Sequence, residues 1–214
     1  MAEDQTRPSR APTSSQPGFS PGSDHRPHEQ EPPVYSPVAR ALHWITVVLV
    51  AVMVPVGLFM TERAEHNIWD GLTNGLYSGH KLTGLLVLAL VVARLAYRLV
   101  HGAPADEPTI EPWQKAASHA THWAIYGLLL IVPILGWTGI SLYPALDIFG
   151  LFRLPGLVAP NQPASSTVFF LHKIGAFALV GLVAMHIGAA LYHYFIRKDG
   201  VLRRMLPGLP RRRN

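Results

Sequence analysis

The sequence contains no cysteine. That excludes disulfides, iron–sulfur clusters, thiolate zinc sites and covalent attachment of a haem through C-x-x-C-H. Charge is scarce as well: 14% of the 214 residues are Asp, Glu, Lys or Arg, against about 25% in an ordinary soluble domain. No Asp or Glu lies inside any of the four long apolar runs, so the acidic ligands that metal sites in helical bundles recruit are missing there. What remains is 49% hydrophobic, carries five Trp and has a mean hydropathy of +0.22. This is the composition of a membrane protein with polar ends, and no nucleic-acid partner is expected.

Residues 1–36 precede any apolar run and are rich in Pro, Ser, Gln and charge. Such a segment buries too little apolar area to offset its ordering entropy, so a disordered tail is expected. It has no h-region and does not read as a secretory signal peptide. His25 and His28 fall in it as solvated residues. The body, residues 37–207, carries four apolar spans at about 38–60, 78–100, 119–142 and 168–196, each long enough for a hydrocarbon core of about 30 Å. Pro55 marks a kink candidate in the first span, and Pro133, Gly136 and Gly139 thin the third, which a bundle tolerates. Between the third and fourth, a Pro-rich loop predicts a short interfacial helix around Asp147–Leu154, and residues 208–214 form a basic tail. Arg40, Arg94, Arg98, Lys115, Arg197, Lys198, Arg203, Arg204 and Arg211–Arg213 fall on one side, and Arg63, Lys81, Arg153 and Lys173 on the other. The positive-inside bias then gives an all-α, four-helix membrane bundle with both termini cytoplasmic.

Eleven histidines are many for such a chain. His172 and His186 are fourteen residues apart in the fourth span, close to four helical turns, so they share a face and lie roughly 21 Å apart along the axis. Intramembrane ionisable residues are functional by default. Depth supplies their partners: His80 opens the second span near the outer face, level with His172, and His43 opens the first near the inner face, level with His186. Two matched pairs on three helices fit two bis-histidine haems. A divalent-metal channel is the competing reading, and the lack of carboxylates in the spans speaks against it. Gly84, one turn after His80, leaves room for a flat ring.

At these residues the sequence resembles the bacterial cytochrome b561 family of four-helix di-haem membrane proteins. The matching pieces are YSPVARALHW, GHKLTGLLVLALVVARLAYR, HATHWAIYGLLLIVPILGW and LHKIGAFALVGLVAMHIGAALYHYFIRKDGVLRRMLP, which together span about Tyr35 to Pro207. The resemblance implies haem b with His43, His80, His172 and His186 as axial ligands, and electron transfer between a reductant and membrane quinone in the bacterial inner membrane. A relative in the family oxidises superoxide and passes the electrons to ubiquinone, so a superoxide:quinone oxidoreductase is one expectation. The other is a non-catalytic electron carrier or membrane anchor of a larger dehydrogenase or hydrogenase, with a redox partner subunit. Arg40 and Arg94 are candidates to pair with inner-haem propionates, and Lys81 and Lys173 with outer ones. His119 and His122 match family positions and could bond a propionate or a quinone carbonyl. His193 lies on the face of His186 and is read as its neighbour, not as the ligand; His66 and His101 read as solvated. The long N-terminal tail departs from the family pattern.

Overall fold

The computed structural model describes Met1 and residues 34–209. The tail expected over residues 1–36 and the basic segment 208–214 fall largely outside the described residues. Four helices dominate: α1 (Pro37–Glu65), α2 (Gly71–His101), α3 (Pro112–Leu142) and α4 (Gln162–Tyr192). All four are long and apolar enough to cross a membrane, as the sequence predicts. A hairpin of β1 (Asp147–Ile148) and β2 (Phe152–Arg153) separates α3 from α4, and a π-helical turn, His193–Arg197, ends the fourth span.

Every helix outruns its apolar stretch. The helices have 29 to 31 residues, about 45 Å at 1.5 Å per residue. Polar caps, not hydropathy, set their ends. Ser36 accepts from the Ala39 N–H ahead of Pro37. Asp70 accepts from the Thr73 N–H and starts α2 well before the expected Ser78. Glu111 and Gln114 form a capping box that starts α3 ahead of His119, and Asn161 caps α4. These side chains satisfy amides that a helix start leaves unbonded. The polar stretch after the first span therefore shrinks to a short turn, which Arg63 holds by donating to Thr73 Oγ1 at 2.8 Å and to Asp70. The Thr73 N–H and the Arg63 guanidinium together hold the Asp70 carboxyl down to about 2.

The interfacial helix expected around Asp147–Leu154 is instead the β1–β2 hairpin, with Asp147 opposite Arg153 and Ile148 opposite Phe152. Phe149 and Gly150 take positive φ of 51° and 70°, a left-handed turn that no right-handed helix continues. The hairpin is pinned to α2: Ile148 is fully buried, the Phe149 N–H donates to Ser78 Oγ at 3.0 Å, and Lys81 Nζ donates to the Asp147 carbonyl at 3.0 Å.

Helix packing runs α1 on α2, α2 on α3 and α3 on α4. The backbone of α4 approaches α1 and α2 only marginally, and side chains bridge the wider gap on that side. One dense apolar layer fills the middle of the bundle: Val87 and Val91 of α2, Tyr126 and Leu129 of α3 and Leu179 of α4, with Leu49 and Val50 of α1 against them. Leu179 stands midway between His172 and His186. Packed apolar side chains thus separate the level of His172 from that of His186.

Candidate functional site

At the His172 end of α4, α2 brings His80 to a ring-centroid separation of 6.3 Å, with the ring planes at 73°. At the His186 end, α1 brings His43 to 6.5 Å, with the planes at 80°. These are the two pairs that matched depth selects. A metal–imidazole bond of about 2.0–2.1 Å, plus about 1.15 Å from nitrogen to ring centre, would put imidazoles on opposite sides of one metal at about 6.3–6.5 Å. Both pairs have that spacing, with no third ligand: among the described residues, no group of three or more His, Cys, Asp or Glu side chains gathers to hold a bare ion. A pair that leaves the equatorial plane to another donor set suits a macrocycle.

The remaining ring nitrogens bear on the same question. His172 Nδ1 lies 2.8 Å from the Val132 carbonyl. An N–H there donates to that carbonyl, fixes the tautomer and leaves the Nε2 lone pair free for a metal. His43 Nδ1 and His80 Nδ1 are buried without a hydrogen-bond partner. Two glycines crowd the His80–His172 pair. A Cβ on Gly136 would stand 3.1 Å from His172 Cε1, and one on Gly57 would stand 3.2 Å from His80 Cε1. Sequence reading missed both roles; the only signal is a proline shortly before each, in VPVG and VPILG. Gly84, expected to make room for a flat ring, faces Met53 Cε at 3.6 Å.

Other candidates divide between site and surroundings. His122 joins the inner pair, with its ring 5.1 Å from that of His186 and its Nδ1 3.4 Å from Ser118 Oγ. Arg94 lies near the same end: its guanidinium is 5.2 Å above the buried Tyr126 ring, one helical turn from His122 on α3. Arg40 is half-buried and its Nε has no hydrogen-bond partner. His119 is not drawn into the pair; it is exposed and lies 3.3 Å from Asp106. Lys81 is spent on the hairpin, and Lys173 is exposed. His193 turns to Asp199, 2.5 Å away, and both are sheltered.

A four-helix membrane bundle with facing histidine pairs and no thiolates is the scaffold of a non-covalent haem protein, a membrane cytochrome of the b class. The comparisons agree. The family described as prokaryotic cytochrome b561 matches residues 34–208, and the chain belongs to that family. It is 32% identical to cytochrome b561 homolog 2 of Escherichia coli K12, over 82% of this chain and 92% of that protein. It is 29% identical to cytochrome b561 homolog 1 of the same strain, over 78% and 93%. It is 26% identical to the probable superoxide oxidase CybB of Yersinia pestis, over 81% and 96%. Membership makes this a bacterial multi-pass membrane protein of electron transfer, and the family implies haem b.

Proposed function

We propose that the chain holds two haem b groups, one between His80 and His172 and one between His43 and His186, and moves electrons between them across the bilayer. The observation that carries this is the pair spacing, 6.3 Å and 6.5 Å, repeated at two depths. Haem held by these histidines would supply a one-electron couple, and two histidines per haem would favour outer-sphere transfer over oxygen binding. The chain's own residues do the rest. Val132 orients the His172 ring; Leu179 and its neighbours fill the layer between the pairs with packed apolar side chains. Arg94 and Arg40 offer guanidinium groups to the propionates at the inner end, where His122 is a further donor. Lys173 and Lys81 stand beside the outer pair.

The reductant in this reading is superoxide, arriving at the His80–His172 end, and the acceptor is membrane quinone, ubiquinone in a bacterial inner membrane. The likeness to a probable superoxide oxidase supports it. The lysine and arginine bias supports placing both termini in the cytoplasm. Superoxide added to the purified, oxidised protein is expected to reduce its haems, and added ubiquinone to reoxidise them. Haems that superoxide leaves oxidised, but that a co-purifying subunit reduces, would replace this reading with that of a carrier or anchor subunit.

A further inference from the structure

The outer pair is held from behind by two glycines on two other helices. The His172 ring lies against the turn of α3 that ends at Gly136. A Cβ there would stand 3.1 Å from Cε1 and 3.2 Å from Nδ1, below the 3.4–4 Å of ordinary contact. The same ring edge reaches the carbonyl of Val132, four residues before Gly136. His80 repeats the glycine contact on α1 without the hydrogen bond, its Nδ1 having no partner: a Cβ on Gly57 would stand 3.2 Å from its Cε1 and 3.7 Å from its Nδ1. The carbonyl four residues before Gly57 belongs to Met53. The two turns are alike in sequence too, with Pro55 and Pro133 each shortly before the glycine. Within the described residues no such contact is made by a glycine at the inner pair.

We infer that Gly57 and Gly136 are positioning residues for the outer haem: they let one edge of each imidazole close on α1 and α3 and thereby set the 73° angle between the ring planes. The inference rests on ligation by His80 and His172. A ring bonded to iron through Nε2 has one easy freedom left, rotation about that bond. An added methyl at either glycine must push Cε1 by a few tenths of an ångström, and rotation is the response that keeps the bond. The iron reports it directly. Near-perpendicular axial planes leave two iron d orbitals almost degenerate and give a strongly anisotropic low-spin ferric signal. Rotation towards parallel planes separates those orbitals and lowers the largest g value.

The test uses the full-length oxidised protein and electron paramagnetic resonance, with the inner haem as internal reference. Gly57→Ala and Gly136→Ala are each expected to shift the largest g value of the outer haem, or to release that haem alone, while the inner signal stays in place. Gly181→Ala, on the side of α4 away from His172 and His186 and with nothing within 4 Å of an added Cβ, is the control and is expected to shift neither. Unmoved signals in both variants at full haem content would overturn the inference. So would loss of both haems together, because the methyl would then act on the bundle and not on a ring. His172→Ala separates this from the ligation itself. If it keeps the outer haem, the ligation reading fails; if it loses that haem while the glycine variants stay silent, only the positioning role fails.

Discussion

Replacing Arg94 by leucine removes one positive charge from the inner end of the bundle and leaves an apolar side chain over Tyr126. We take a separation on the order of 10 Å between that charge and an iron held by His43 and His186. At an effective dielectric of about 20, Coulomb's law gives about 1.7 kcal/mol at that distance. For one electron this is about 70 mV, at about 59 mV per tenfold change in equilibrium constant. The sign is fixed: a nearby cation favours the reduced iron, so its loss lowers the potential. The outer pair lies roughly 21 Å further along the axis. There the same charge is worth about 0.7 kcal/mol, or about 30 mV, before screening by lipid headgroups and salt. A potentiometric titration followed in the α-band should therefore show one component falling by at least twice as much as the other. An equal fall in both, no fall, or a rise would refute the placement of Arg94 at an inner haem.

Lys173 is exposed beside His172, so Lys173→Glu is expected to slow reduction of the haems by superoxide, and the wild-type rate to fall with ionic strength; a stopped-flow rate indifferent to both would remove the steering claim. Gly139 faces Phe169, with only 2.6 Å between a built Cβ and the ring, so Gly139→Ala is expected to cost about 1–3 kcal/mol by overpacking. Gly181→Ala, with open space around it, is expected to cost far less in the same unfolding titration. The Asp70 cap has a pH signature. Its folded value of about 2 is depressed from 3.8, so its contribution is full above the unfolded value and is lost as pH falls from about 4 through about 2. The gap in melting temperature between wild type and Asp70→Ala should be flat from pH 7 to 5 and close below pH 4.

Paired histidines were legible because a helix converts sequence spacing into face and depth by fixed geometry. Fourteen residues on α4 and the ends of two other spans are enough to match His80 with His172 and His43 with His186. Helix ends were not legible from hydropathy, since Asp70 and the Glu111–Gln114 box extend α2 and α3 through polar residues. The β1–β2 hairpin escaped because its turn depends on Phe149 in a left-handed conformation, which side-chain pattern does not announce. His193 shares a helical face with His186 on paper, but the π-helical turn that begins there re-aims it at Asp199. The glycine contacts at the outer pair are tertiary: they join α1 to α2 and α3 to α4, and no spacing within one helix encodes them.

The measurement that bears most directly on the central claim is the number and type of haem per chain, by pyridine haemochrome absorbance against quantitative amino-acid analysis of the purified protein. Two facing histidine pairs predict two b-type haems per chain, falling to one in His172→Ala and to one in His186→Ala, with a different haem lost in each. One haem per wild-type chain, or none, would contradict the account.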